Sequence, residues 1–168
     1  MGTAFSIIKN PDRKLLISAL DYFNKNMTEG NFPYLMRDGI FEKSVIDSWH
    51  EEQISEKSIR LIGMINSRVI SVAYLHRGHG NGFHVAKLGV TVEPGFQQKG
   101  VANMICKELL NWGREKGIVR VEAYPVLNNE NAIKFLRKLG FLVEGTASKK
   151  FRRDAYNFYD CLHMAIIL

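Results

Sequence analysis

Apolar residues recur along this chain at two periods, and the switches between them mark out its elements. Leu16, Ala19, Leu20 and Phe23 lie three or four apart and predict an amphipathic helix. Asn10-Pro11-Asp12 supplies its start, with Asn10 as cap, Pro11 at the first helical position and Asp12 in the first turn. Val45, Ile46, Trp49 and Ile54 predict a second helix over about Phe41 to Lys57. Two short strands follow, Arg60–Ile65 and Val69–Leu75, joined as a hairpin around Asn66-Ser67, and then a third, Val85–Val92. The helical period returns at Val101, Ile105, Leu109 and Trp112, with Gly113 and Gly117 bracketing the end of that helix. Val119–Tyr124 reads as a strand halted by Pro125, and Asn128-Asn129-Glu130 caps a short helix from Asn131 to Leu139, closed by Gly140. A strand from Phe141 to about Thr146, a basic segment and a final strand from about Phe158 to Leu168 complete the chain. This order predicts an α/β (α+β) fold, a single domain over residues 1–168 built on one mixed sheet.

The passage from strand Val85–Val92 into the following helix carries the clearest chemical signal. Glu93-Pro94-Gly95 turns the chain, and Gln97-Gln98-Lys99-Gly100-Val101-Ala102 opens the helix. A helix start presents backbone N–H groups without partners, backed by the positive end of the helix dipole, which suits a phosphate. Gly100 lets a bulky anion approach the backbone. On these residues alone, a phosphate site and an ordinary strand-turn-helix remain equally open.

Composition narrows the class without choosing the ligand. The chain is 46% hydrophobic and 24% charged, as in an ordinary soluble globular protein. Cys106 and Cys161 lie far apart, the five histidines are scattered, and no metal-ligand spacing appears, so no metal is expected. Met1 to Ile8 lacks the pattern of a signal peptide and no apolar run has membrane-spanning length, so the expectation is a cytoplasmic protein with no membrane partner. The net charge of +6 is uneven: residues 1–84 hold ten Lys/Arg and nine Asp/Glu, residues 85–168 thirteen and eight. The basic half contains the anion loop, which suits a polyphosphorylated cofactor and would also suit nucleic acid.

The run from Leu88 to Ala102, Leu-Gly-Val-Thr-Val-Glu-Pro-Gly-Phe-Gln-Gln-Lys-Gly-Val-Ala, resembles the acetyl-coenzyme A motif of the GNAT superfamily of N-acetyltransferases. Asn129-Glu130-Asn131-Ala132-Ile133, ending in Arg137-Lys138-Leu139-Gly140-Phe141, resembles that family's second signature. The tail Asp160-x-x-x-Met164-Ala165 is similar to the closing strand of its ribosomal-protein and polyamine acetyltransferase branches. The resemblance implies a mostly antiparallel sheet with a splayed central strand pair and flanking helices. It also implies acetyl-CoA as cosubstrate, an amine as acceptor and direct transfer in a ternary complex, with nucleic acid a poorer partner. Val90, Val92, Gln97, Gln98, Lys99, Gly100, Val101, Ala102, Asn129 and Ala132 are the cofactor positions it implies, and the Val90 amide would be an oxyanion donor.

Two usual side chains of the family are missing. Its tyrosine acid aligns with Leu136, and its glutamate base aligns with Ala86. His84, on the face of Val90 in a regular strand, and Glu122 are the candidate replacements for the base. Tyr124, Tyr156 and Tyr159 are the candidates for the acid. The acceptor pocket implied by the family falls on 30–38 and 149–157, with Phe32, Tyr34, Arg152 and Tyr156 as candidate contacts. Lys149, Lys150, Arg152 and Arg153 would repel a polyamine and favour an acceptor bearing a carboxylate or phosphate, or an acidic protein surface. A module of the same fold that binds the cofactor without catalysis is the alternative. Phe158, Tyr159 and the apolar final strand offer an edge for a homodimer.

Overall fold

Asp12, rather than Asn10, caps the first helix. Its side chain accepts a hydrogen bond of 2.8 Å from the Leu15 amide, while Asn10, at φ 53°, turns the chain out of a preceding strand. The acid expected inside the first turn is thus the cap itself, and Pro11 lies before the helix. A computed structural model describes residues 5–35 and 40–168. Its elements are β1 (Phe5–Lys9), α1 (Arg13–Thr28), α2 (Val45–Ile54), β2 (Ser58–Ile65), β3 (Arg68–Arg77), β4 (Val85–Val92), α3 (Val101–Glu115), β5 (Arg120–Ala123), α4 (Glu130–Lys138), β6 (Leu142–Arg152) and β7 (Phe158–Ile167). They form one seven-stranded sheet in the order β1-β2-β3-β4-β5-β7-β6, in which only β4 and β5 run parallel. Mixed α/β with a mostly antiparallel sheet is the expected class.

β1 has no counterpart among the expected elements. Its five residues are paired wholly with β2, from Phe5 opposite Ile65 to Lys9 opposite Leu61. α2 is shorter than its apolar pattern suggests, because Glu56 adopts a left-handed φ of 55° just beyond it. α3 runs through Gly113 to Glu115, and the left-handed Gly117 follows its cap, after which the Ile118 amide reaches back 2.8 Å to the Gly113 carbonyl. Gly113 is closely packed within the helix, where a Cβ would meet the end of the Leu168 side chain, Cδ1, at 3.0 Å. β7 lies between β5 and β6, so the free edge on that side is β6 and not the final strand.

The two faces of the sheet bury different sets of residues, as strand alternation requires. On one face Leu16, Leu20, Phe23, Ile46 and Trp49 from α1 and α2 pack over Ile62 and Val72. On the other, Ile105 and Leu109 from α3 and Leu136 from α4 pack over Leu61, Ala73, Leu75, Ala86, Val121 and Met164. Each large aliphatic side chain so buried stabilises the fold by about 1.5–3 kcal/mol. The first layer covers the β2–β3 side of its face and leaves the β5-β7-β6 side for polar residues.

Gly89 stands opposite Tyr74 in the β3–β4 ladder, and a Cβ on it would lie 2.3 Å from the Tyr74 ring. Tyr74 in turn faces the Arg60 guanidinium at 6.0 Å, which stacks on Trp49 at 4.7 Å. Gly89→Ala is therefore expected to destabilise the protein by about 1–3 kcal/mol through overpacking. Urea denaturation checks this; an unchanged midpoint would mean that the ring swings away freely.

Candidate active site

β4 and β5 separate as they run on, and the gap between them is the centre of the site. Their parallel pairing covers only Val85, Ala86 and Lys87 against Arg120, Val121 and Glu122. Beyond that, β4 stays with β3 to Val92, while the chain after β5 stays with β7. The Leu162 amide donates to Pro125, Val126 bridges Cys161, and the Leu127 amide donates to Asp160. The direction of the β4 backbone groups follows from one bond. The Glu93 amide donates to the Ile70 carbonyl at 2.9 Å, so alternation gives Thr91 and Gly89 to the β3 ladder. Val90 and Val92 consequently point their N–H and C=O groups into the gap, with no strand opposite, while the Leu88 N–H is the last β4 amide tied to β5, through the Lys87–Glu122 register. Gln97 Nε2 binds the Val92 carbonyl from that side at 2.9 Å.

The open end of this gap meets the start of α3. The Pro94–Phe96 turn leads to Gln98 at φ 58° and Gly100 at φ 83°, two left-handed residues that curl the loop. Gly100 occupies the cap position, yet no side chain caps the helix, and the first helical bond runs from the Met104 amide to the Gly100 carbonyl. The Val101, Ala102 and Asn103 amides are therefore free to receive an anion. Space is also present, since a Cβ built on Gly100 would meet nothing within 4 Å. Lys99 is tied to the Gly95 carbonyl at 2.8 Å and lies 5.5 Å from the Phe96 ring, which keeps its charge at the loop. Asn129 caps α4 by accepting from the Ala132 amide at 3.2 Å, and its Nδ2 group has no partner among the described residues.

Across from Lys87, where the β4–β5 pairing ends, the candidate acid–base residues form a connected group on the β5-β7-β6 face. Tyr124 Oη donates to Glu122 Oε2 at 3.0 Å, and Arg120 Nε binds Glu122 Oε1 at 2.9 Å. Arg120 also holds Glu144 at 2.8 Å. His163 stacks on Tyr124 with ring centroids 4.9 Å apart, and its Nε2 lies 3.4 Å from Glu122. Partial burial works to raise the Glu122 pKa, but hydrogen bonds from Arg120, Tyr124 and His163 outweigh it and hold the carboxyl below its usual range. Tyr124 is pushed up to about 12, first by desolvation and then by its bond to the Glu122 carboxylate. At neutral pH Glu122 is thus an anion and Tyr124 carries its proton. Leu136 and Ala86, the positions of the family's usual acid and base, are both buried in the α3-side core.

His84 is not part of this group. It is exposed, immediately before β4, and its carbonyl accepts from the Val119 and Arg120 amides at the closed end of the strand pair. Six residues of strand separate it from Val90, on the order of 20 Å. His163 occupies the place expected of it. No local pattern marks His163, because its position beside Tyr124 depends on the pairing of β5 with β7.

The acceptor-side residues divide. Tyr34 bridges the α1–α2 connection to the site: its hydroxyl lies 3.4 Å from the Asn128 carbonyl, and its ring packs edge-on against Tyr159 at 6.4 Å. Phe32 packs against Tyr22 at 5.6 Å in the α1 core. Arg152 is spent on the hairpin, bonding the Asp154 and Ala155 carbonyls. Tyr156, 90% exposed, lines a depression of about 420 Å³ with Val126, Asn128 and Tyr159. Residues 36–38 of the expected acceptor loop, and residues 1–4 of the stretch read as lacking a signal-peptide pattern, lie outside the described residues. Among the described residues no group of three or more His, Cys, Asp and Glu is placed to hold a metal, and no helix is long and apolar enough to cross a membrane.

The chain matches the model of the Acetyltransferase (GNAT) family over residues 20–141, and it belongs to that family. The L-amino acid N-acetyltransferase AaaT of Escherichia coli is 34% identical over 86 residues, 49% of this chain and 51% of that protein. The chain thus matches about half the length of this curated relative. Among solved structures, a ribosomal-protein-alanine N-acetyltransferase from Brucella melitensis superposes with a TM-score of 0.85 at 20% identity, over 97% of this chain and 99% of that one. yncA from Salmonella typhimurium, solved with its cofactor acetyl-CoA, gives 0.84 at 18% identity, over 98% and 94%. At these identities the structures share the fold.

Proposed function

We propose that this chain transfers the acetyl group of acetyl-CoA to an α-amine, by direct attack while donor and acceptor are bound together. The observation that carries the reading is the continuity of gap and cradle: unpaired β4 backbone at Val90 leads to the free amides at the start of α3. A ligand with an extended arm and a pyrophosphate fits that sequence of groups, the arm along β4 and the pyrophosphate at 98–102, with Asn129 beside the arm. Acetyl-CoA supplies an acetyl group activated as a thioester, with a thiol as the other product. The Val90 N–H, facing the gap, would stabilise negative charge on the acyl oxygen. Glu122 attracts the acceptor ammonium, and the Glu122–Tyr124 hydrogen bond joins a proton acceptor to a proton donor. The ammonium first loses one proton to solvent; the neutral amine gives up a second as the C–N bond forms and the C–S bond breaks, and the departing sulfur gains one, so this pair can carry that proton between them.

An ionised, arginine-paired Glu122 is a weak base, and that selects the acceptor. Deprotonating a lysine-like amine at pH 7 costs about 4–5 kcal/mol, against about 1 kcal/mol for the α-amino group of a peptide N-terminus and about 3 kcal/mol for that of a free amino acid, whose own carboxylate raises its pKa. The curated relative is named for L-amino acids, in keeping with an α-amine. The test is a panel of α-amino acids, peptides with free N-termini, aminoglycosides and polyamines, followed by release of free thiol. Turnover is expected with α-amines, and kcat/KM should rise about tenfold per pH unit until the acceptor's own pKa. No falling limb is expected below the range where Tyr124 ionises, near 12. A profile whose bend stays fixed when the acceptor pKa changes would show an enzyme base instead. The second reading, a module that binds the cofactor without catalysis, is favoured by Leu136 and Ala86; thermal stabilisation by acetyl-CoA with no thiol release from any amine would establish it.

A further inference from the structure

The hairpin cations do not act alike, and a bulge separates them. In the β6–β7 ladder Ala147 pairs with Cys161 and Phe151 with Tyr159, so four residues of β6 span two of β7. The extra residues lie at 148–150. Lys149 takes a left-handed φ of 52°, and its amide is fixed by the Asp160 carboxylate at 2.6 Å. Bulges re-aim side chains, and here the two lysines go to different places. Lys149 Nζ lies 5.8 Å from the Phe158 ring, whereas Lys150 Nζ lies 4.6 Å from the ring of Tyr124. Lys150 is exposed and, among the described residues, has no carboxylate partner.

Tyr124 therefore has an anion at its hydroxyl and a cation over its ring. The inner pole is formally negative, since Glu122 and Glu144 share the single guanidinium of Arg120. Lys150 is the outer, positive pole. From the two contacts to Tyr124 and the size of its ring, Glu122 Oε2 and Lys150 Nζ are at most about 10 Å apart. A molecule that holds an ammonium against one and a carboxylate against the other, with one carbon between them, needs about 8 Å. A diamine would place its second cation against Lys150.

We propose that Lys150 binds the acceptor's carboxylate, so that the acceptor is an α-amino acid carrying a free carboxylate beside its amine. This rests on the acetyl-transfer reading and names the substrate class of the same site. The bulge held by Asp160 positions Lys150, and the charge of the side chain reads the acceptor.

The experiment compares L-amino acids with their amides as acceptors, each KM expressed per unprotonated amine because the carboxylate raises the amine's pKa, for wild type, Lys150→Met, Lys150→Arg and the charge-matched surface variant Lys107→Met. Wild type is expected to show a KM at least tenfold lower for the acids. Lys150→Met should raise KM for the acids about tenfold, leave the amides within twofold and change kcat little. Lys150→Arg should restore the preference, and Lys107→Met should keep it. Equal use of acids and amides by wild type, or a preference that survives in Lys150→Met, overturns the proposal. Calorimetric titration of the protein–coenzyme A complex with the acid and with the amide reads the same preference without turnover. If no amine is acetylated while acetyl-CoA binds, the transfer reading fails, and this titration alone decides the role of Lys150: tighter binding of the acid, lost in Lys150→Met, upholds it, and equal binding overturns it.

Discussion

Gly100→Glu is expected to weaken acetyl-CoA binding by about a thousandfold while leaving the protein folded. The position combines φ 83° with empty space around a built Cβ, so any side chain costs backbone strain without a clash. That strain is about 1–2 kcal/mol, small against a typical stability of about 5–15 kcal/mol. The larger effect is electrostatic. A carboxylate set about 4 Å from a bound pyrophosphate repels it by about 4 kcal/mol at a surface-like dielectric, or roughly three orders of magnitude in affinity. Gly100→Ala isolates the first cost from the second and should lose less than tenfold. Calorimetry gives the affinities, and thermal unfolding with and without ligand gives the stabilities. Gly100→Glu that binds as wild type would move the pyrophosphate away from the α3 start.

The contrast between what was and was not legible in the sequence follows from the range of the interactions. Val85–Val92 is a strand over its expected residues, and α3 starts at Val101, because β-branched residues, Pro94, Gly95 and Gly100 act within a few positions of themselves. β1 carries no such signal and exists because β2 offers it an edge. The strand after α4 was expected to stop near Thr146, yet β6 continues to Arg152, because β7 supplies a partner and the bulge at 148–150 absorbs the polar residues. The cofactor half of the site is legible for the same reason as β4 and α3, being backbone in a local motif.

The acid–base half is not legible in that way. Glu122 on β5 and Tyr124 just beyond its end are two apart in extended chain, which alternation puts on one side, but His163, Glu144 and Lys150 reach them only through the pairing of β5, β7 and β6. His84 illustrates the cost of reading a strand in isolation. It shares the parity of Val90 yet lies at the end where β4 and β5 are still paired. The basic cluster was visible as composition, but the bulge decides which lysine reaches Tyr124.

Val90→Pro is expected to lower kcat by about 10²–10³-fold, as for removal of one oxyanion donor. Proline normally breaks a strand by removing a ladder hydrogen bond. Here the Val90 N–H faces the gap, so β4 behaves at this point as an edge strand, where proline is tolerated. Gly89 precedes it in extended backbone, the conformation that the residue before a proline favours. The β3–β4 ladder therefore keeps its bonds, and the loss falls on catalysis. Val90→Ala is the opposite control: it removes the side chain and keeps the amide. It should turn over within about threefold of wild type while losing about 1–2 kcal/mol of stability, because Val90 packs against the cores on the α3 side. Since the cofactor arm also pairs along β4, KM for acetyl-CoA rises in Val90→Pro, and kcat at saturation is the deciding quantity. A folded Val90→Pro protein with kcat near wild type would remove the amide from the mechanism and leave Glu122, Tyr124 and approach of the two substrates to account for the rate.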